Sequence, residues 1–400
     1  MKAPFIFFNE KIDCENCGNN PVPHFLNWYF ESMNIFLTPL RIKLFYNPTS
    51  FKIKSFFVPI NFSLFFEKVF YNLKIISHQK NIEKCKVSRA KVLWEEAGKR
   101  GIIFTELLIF GQSFDTYKAE KNGNIIVFSG LPRPKNYNDS VLEILDDKYE
   151  CKQILAKNNF PVPKGGSVTS YSEALKIFNL VLKPVIVKPR SGSRGRHCTT
   201  FIFTENELKR AFKIAKKLCF WVIVEEHLAG PVYRATVINY ELKGLLRGDS
   251  PFVTGDGLQT VLELVEQKNN INILEVKKII LDNNVSKFLK RQNKTLESVL
   301  EVGEIVTLTE KIGVSYGGSS SEDIEKAHKI NKDLFEQAAK SLGDPIVGFD
   351  FIIPDITNPF TLQRTGFLEA NSLPFINLHH HPQFGPPQNV AEAVWKMVGF

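Results

Sequence analysis

The stretch VIVKPRSGSRGRH, residues 185–197, constrains the fold more than any other part of the chain. Val185, Ile186 and Val187 read as a buried strand, and the strand ends in Lys188 and Pro189. The loop that follows is built of glycine, serine and arginine, with no hydrophobic residue to anchor it. Backbone N–H groups of a glycine-rich turn can converge on an anion, because glycine lets the chain approach closely. Ser191, Gly192, Ser193, Arg194 and Gly195 supply such a nest, with two hydroxyls and a guanidinium. Lys188 stands where it can neutralise a phosphate as a point charge. Neither G-x-x-x-x-G-K-[ST] nor G-x-G-x-x-G is present, so this is not one of the common nucleotide loops. A solvated basic hairpin is the competing reading.

Two C-terminal segments carry oxygen donors of the kind that accompany bound phosphates. Asp350 lies inside the apolar strand IVGFDFII, where a carboxylate is costly unless a cation or hydrogen bonds satisfy it. Glu369 and Asn371 stand two apart in FLEAN, and residues i and i+2 of a strand share a face. If the two strands are antiparallel neighbours, Asp350, Glu369 and Asn371 can aim at one point. Such a set of hard oxygen ligands suits Mg²⁺. The stretch VIVEEHLAG ends a third strand in a Glu pair and can present an acceptor to an adenine amino group; a charged strand terminus is the plain alternative.

A chain of 400 residues predicts two or three domains. Its apolar content of 44% and charged content of 23% are those of a globular protein, and no apolar run is long enough to span a membrane. MKAPFIFFNE lacks the order of a signal peptide, and six cysteines in this length do not make a disulfide framework. Both point to a reducing cytoplasm. The net charge of +9 suits an anionic ligand and points only weakly to nucleic acid.

Residues 1–84 form a basic, Phe-rich extension. Residues 41–91 hold eleven Lys/Arg against two Glu, and fourteen of the 34 Phe fall in the first 70 positions. Pro21, Pro23, Pro39, Pro48 and Pro59 are expected to keep this region irregular. Its Phe read as packing onto the rest of the protein; a basic aromatic face touching a membrane or another chain is the sharper reading. The extension carries none of the motifs above, so it is expected to be dispensable for nucleotide binding. Within it, Cys14 and Cys17 make a single C-x-x-C with His24 as the only nearby further ligand. A closed zinc site needs four ligands, so a free-thiol turn is expected.

Residues 85–145 read as a small α/β unit: a helix RAKVLWEEAGKRG stopped by Gly101, a strand, and a hairpin turning at Asn122-Gly123. A helix is expected across VLEILDDKYECKQILAKNN, and another after Thr204, where Thr204 and Glu207 stand in capping-box relation. Strands follow at WVIVEE, YRATVINY and LKGLLRG, then a polar Lys/Asn-rich stretch around 265–300, and finally helices and strands to the C-terminus. The fold class is α/β (α+β), with residues 146–400 as the main domain and a nucleotide-binding subdomain at about 180–250.

Taken together, DDKYECKQILAKNNFPVPKG (146–165), VIVKPRSGSRGRH, VEEHLAGPVYR, VTGDGLQTVLELV (253–265), VSYGGSSSED (314–323), GFDFII and LEAN resemble the ATP-grasp ligases. The resemblance is greatest to the ATP-grasp domain of cyanophycin synthetases and bifunctional glutathione synthetases. It implies an ATP-grasp fold preceded by the small α/β domain and the extension. It implies that Lys148 and Lys188 bind phosphates, that residues 191–195 cover them, and that Glu225, Glu226 and Leu228 hold the adenine. It also implies that Asp350, Glu369 and Asn371 hold Mg²⁺ (or Mn²⁺), with Arg234 or Arg247 stabilising charge on the reacting group. Where the family often has an acidic residue that contacts the ribose, this sequence has Pro231 and Val232, and from the resemblance these 400 residues are expected to make one ligase at most.

The activity implied is ATP-dependent amide or peptide bond formation between a carboxylate and an amine, on an amino acid or small peptide. Nucleic acid is not expected as a partner, and a homodimer is compatible with the sequence. The alternative is an inactive ATP-binding module used for interaction or regulation. LHHHPQFG (378–385) reads as a substrate loop, since three adjacent His cannot all face one tetrahedral metal.

Overall fold

The computed structural model describes residues 14–17, 21–45, 75–135, 137, 145, 147–192, 195–271, 276–309 and 311–400. Ser193 and Arg194 of the glycine-rich loop, with Pro48 and Pro59, lie outside the described residues.

The extension is not irregular throughout. Helix α1 (His24–Phe45) runs for 22 residues, with Pro21 and Pro23 ahead of its first turn, where a missing N–H costs nothing, and Pro39 inside it. A second element of the expected extension is a strand. β1 (Ile76–Gln79) is the edge of an antiparallel sheet completed by β2 (Ile103–Ile109), β3 (Gln112–Lys121) and β4 (Asn124–Ser129). The β3–β4 turn takes positive φ at Asn122 (51°) and Gly123 (79°), as a two-residue hairpin requires. Helix α2 (Ser88–Lys99) buries Ala90, Leu93 and Ala97, and Gly101 ends it at φ 66°.

Helix α3 (Lys148–Lys157) is shorter than the sequence suggests, because Asp147 caps a fresh N-terminus by accepting from the N–H groups of Tyr149 (2.9 Å) and Glu150 (3.1 Å). It leads into a second antiparallel sheet made of β5 (Gly165–Val168), β6 (Val185–Pro189), β7 (Thr199–Ile202) and β8 (Val222–Glu226), in the order β5-β8-β6-β7. Helices α4 (Tyr171–Leu180) and α5 (Glu205–Lys216) cover it, and both begin with complete capping boxes, at Ser170/Glu173 and Thr204/Glu207. This sheet with its two helices spans residues 165–226.

Strands β9 (Val232–Ile238) and β10 (Glu241–Gly248), expected in the same unit, belong instead to a third sheet. With β13 (Ser320–Glu322), β14 (Ile346–Ile352) and β15 (Gly366–Asn371) they form the order β13-β10-β9-β14-β15. One face of it (Tyr233, Ala235, Val237, Phe349, Phe351, Phe367) packs on helix α8 (Lys329–Leu342) and on α3, whose Cys151 and Leu155 complete that core. The stretch expected to be merely polar folds into helices α6 (Val261–Asn270) and α7 (Asn283–Arg291) beside the small hairpin of β11 (Phe252–Thr254) and β12 (Ile305–Thr307). Val261, Leu264, Val265, Val285, Leu289 and Leu300 give it a core of its own. Short α9 (Asn377–His380) and the final helix α10 (Val390–Met397) pack the C-terminus against α2, where Trp395 Nε1 donates to Leu93 O at 3.0 Å. No helix among the described residues is long and apolar enough to cross a membrane.

Candidate active site

The face of the third sheet that is not core carries four of the sequence candidates. β14 and β15 are antiparallel neighbours, with Asp350 opposite Glu369 and Gly348 opposite Asn371. On its other side β14 pairs with β9, which sets Arg234 opposite Asp350. Strand alternation then puts Arg234, Asp350, Glu369 and Asn371 on one face, as the sequence reading required of the three oxygen donors. Arg234 grips Asp350 with a two-pronged contact, Nε–Oδ1 at 2.8 Å and Nη2–Oδ2 at 3.0 Å.

Helix α3 lies along edge strand β15 and joins this face to the second sheet. Lys148 Nζ reaches Glu369 Oε2 at 2.7 Å and donates to the carbonyl of Gly192 in the glycine-rich loop at 2.8 Å. One turn on, Lys152 is buried and bonds Glu225 of β8. Lys188, at the end of β6, reaches the other oxygen of the same carboxylate at 2.7 Å. A single buried Glu225 thus answers two ammonium groups. Lys152 was not singled out in the sequence, although its i+4 spacing from Lys148 on an expected helix puts both on one face.

The two lysines respond differently to this shared partner. Burial drives Lys152 down to about 8, with Lys188 adding repulsion that Glu225 does not cancel. Burial also opposes charge on Lys188, but there Glu225 outweighs it and holds the ammonium above its ordinary range. On the third sheet, burial pushes both opposed acids up. Lys148, Lys188 and Arg234 reverse this for Glu369 and hold it at about 2. Asp350 stays above its ordinary range, burial and the neighbouring Glu369 outweighing the Arg234 fork. Two carboxylates held face to face, together with an amide on the same face, make a donor set that fits a hard divalent cation such as Mg²⁺.

The remaining sequence candidates are placed as follows. Ser191 Oγ donates to Glu31 of α1, and Gly192 (φ 124°) and Gly195 (φ 60°) adopt backbone that favours glycine. The loop's root is fixed by Arg190, which binds the α3 cap Asp147 through Nη2–Oδ2 at 2.7 Å and Glu150 at 2.9 Å, a contact the sequence reading passed over. Glu226 accepts from the Lys164 N–H at 2.9 Å and from Arg364 Nη2 at 2.6 Å, so both side chains of the Glu pair are taken up by the protein itself. Leu228 is buried. Arg247 does not join the cluster: it pairs in register with Tyr233, on the face opposite Arg234, and binds Asp249 at 3.0 Å.

Two of the three imidazoles of LHHHPQFG turn inward. His379 is wholly buried between Thr236 Oγ1 (2.7 Å) and Glu322 (2.6 Å), over Gly244, where a Cβ would collide with the ring. His380 Nε2 accepts from the Ala391 N–H at 3.1 Å. In VTGDGLQTVLEL, Asp256 accepts from the N–H of Leu258 (2.9 Å) and Gln259 (2.8 Å), and Thr260 with Glu263 caps α6. That motif builds a turn and a helix start.

No family model matches the chain. Among curated proteins it is similar to the cyanophycin synthetase of Geminocystis herdmanii, 32% identical over 269 residues, which is 64% of this chain and 30% of that protein. It is also similar to the bifunctional glutathione biosynthesis protein of Clostridium perfringens, 30% identical over 315 residues, covering 76% of this chain and 40% of that protein. Among solved structures, the crystal structure of a bifunctional glutathione synthetase from Pasteurella multocida aligns with a TM-score of 0.59 at 26% identity, over 79% of this chain and 43% of that one. The chain spans less than half the length of each of these relatives.

Proposed function

The chain belongs to the ATP-grasp ligase family, and from that premise we propose that it is an ATP-dependent carboxylate–amine ligase acting on an amino acid or small peptide. The observation that carries the reading is the half-buried cluster in which Lys148, Lys152, Lys188 and Arg234 converge with Glu225, Asp350 and Glu369 between two sheets. In this structure the opposite charges satisfy one another. A bound polyphosphate and its metal would offer each group a new partner: the lysines would serve phosphate oxygens, and the acids would hold the cation. A cluster of this composition suits phosphoryl transfer, where positioning and charge stabilisation do most of the work.

Asp350, Glu369 and Asn371 would hold Mg²⁺, and the ion would supply positive charge to offset the negative charge that grows during phosphoryl transfer. Lys148 and Lys188 would bind the phosphates, and Lys148 also holds the glycine-rich loop through Gly192. Lys152 keeps Glu225 in place between them. With the Glu225 and Glu226 side chains engaged by cations, the adenine would be held chiefly by backbone near 226–228 and by the apolar surface of Leu228. Arg234 is the arginine suited to stabilise the carboxyl group as it becomes an acyl phosphate, and an amine would then displace phosphate.

A coupled assay for ADP release, run over a panel of amino acids and dipeptides with Mg²⁺–ATP, tests the reading. ADP formation dependent on both a carboxylate and an amine is expected. Tight Mg²⁺–ATP binding without ADP release from any pair would favour the inactive binding module instead.

A further inference from the structure

Away from the phosphate cluster, four soft donors from three segments meet. Cys14 and Cys17 flank a tight turn closed by the Cys17 N–H donating to Cys14 O at 2.9 Å. His24 opens α1, and His197 stands just beyond the glycine-rich loop, 180 residues after Cys17. The two sulfurs and one nitrogen from each imidazole all lie within 4.8 Å of one another. Cys17 Sγ is 3.3 Å from His24 Nε2 and 3.4 Å from His197 Nε2, and Cys14 Sγ is 3.5 Å from His197 Nε2. Around a tetrahedral zinc, with Zn–S about 2.3 Å and Zn–N about 2.0–2.1 Å, adjacent S and N atoms stand roughly 3.5 Å apart.

The surroundings prepare these donors. His197 Nδ1 lies 2.8 Å from the Ile214 carbonyl, which fixes the proton on that nitrogen and leaves Nε2 as a lone-pair donor facing both sulfurs. The His24 and His197 rings meet edge to face, with centroids 4.8 Å apart and planes at 83°, so each offers one nitrogen to the same space. One thiol proton cannot satisfy both imidazole nitrogens near Cys17, whereas one cation can satisfy all four donors. Cys17 and His197 are each 1% exposed, which makes the centre closed rather than open to substrate.

We propose that Cys14, Cys17, His24 and His197 bind zinc(II) as a closed, structural Cys₂His₂ site that staples the N-terminal segment to the root of the glycine-rich loop. Thiolate and imidazole select zinc, and the oxygen donors around Asp350 select magnesium, so the two sites do not compete. Binding releases the two thiol protons and ties the segment 14–24, through three metal bonds, to the loop exit, through one. The His197 N–H already donates to Asn16 O at 2.9 Å, so the metal closes a contact that the backbone has begun. The site stands whether or not the chain is a ligase.

Metal analysis of the full chain, purified reduced from zinc-supplemented cells, should find about one zinc per chain, lost in Cys17→Ser and in His197→Ala. Zinc-stripped parent chain titrated with cobalt(II) should develop the visible bands of a tetrahedral sulfur–nitrogen site, abolished by zinc. A folded, reduced parent chain that holds no zinc and gives no cobalt bands would overturn the proposal, as would undiminished zinc in folded Cys17→Ser. If the variants fail to fold, the cobalt titration of the parent decides.

Discussion

At Glu225 one buried carboxylate serves two lysines, and this asymmetry separates the effects of substituting each. Lys188→Ala leaves Glu225 paired with Lys152, so the fold should survive while nucleotide affinity falls at least tenfold, about 1.4 kcal/mol, by titration calorimetry. Glu225→Ala strands two neighbouring ammonium groups in the interior and should cost about 3–5 kcal/mol of stability in denaturant unfolding, with loss of binding as a consequence. Equal stability losses in the two variants would contradict the shared-partner geometry. Lys152 supplies a pH test with two opposite signs. Bound phosphate favours its charged form, so ATP affinity should be flat below about pH 8 and decline as pH rises through it. The unliganded protein behaves inversely. Between about 8 and the ordinary 10.5 the unfolded chain binds the extra proton, so stability rises with pH there. Lys152→Arg should flatten both curves; an unchanged affinity profile in that variant would show that Lys152 does not set the pH dependence.

Much of the site's framework could be read at the level of elements, because strand periodicity carries its own geometry. The i, i+2 spacing of Glu369 and Asn371 and the lone Asp350 in an apolar strand were enough to anticipate opposed neighbours, and register pairs Asp350 with Glu369 directly. What periodicity could not give was where α3 begins, since Asp147 competes as a cap, or that Arg247 falls on the wrong face, which depends on the register between β9 and β10. Nor could it show α7 or the outer half of α6, where polar residues outnumber the apolar ones. The β14–β15 register makes its own prediction. Glu369→Gln keeps shape but removes one of two facing charges, while Lys188 and the loop still hold the nucleotide. Turnover should fall on the order of a hundredfold, about 2.7 kcal/mol of barrier, with little change in ATP affinity and partial rescue by Mn²⁺ or high Mg²⁺. Parental turnover at low Mg²⁺ would show that the pair is no metal site.

Across the whole molecule, the part the sequence assigned to an appendage is the part that most changes the reading. Helix α1 lies on the unit of the second sheet: Asn27 Nδ2 donates to Leu218 O at 3.1 Å, the Phe220 N–H donates to Ser32 Oγ at 3.0 Å, and Trp28 meets Phe220 edge-on at 6.3 Å. Its other face leaves Phe25, Phe30 and Phe36 exposed, so those Phe do not pack onto the protein as expected. No local pattern could reveal the docking, because it joins residues more than 150 positions apart through single polar contacts, Glu31 to Ser191 among them. That last contact ties α1 to the loop expected to cover the phosphates. A hydrogen bond to a charged acceptor contributes about 1.5–3 kcal/mol, and a loop ordered before ligand arrives pays less entropy on binding. A chain starting at Ile75, which keeps β1 in its sheet, should therefore bind Mg²⁺–ATP about tenfold more weakly than the full chain, the reverse of what the motif distribution alone suggests. Hydrogen exchange at Ser191 and Gly192 should speed up in the same truncation, and Glu31→Gln should reproduce part of both effects. Undiminished affinity and unchanged exchange in a folded truncation would reduce α1 to a packing element with no part in the site.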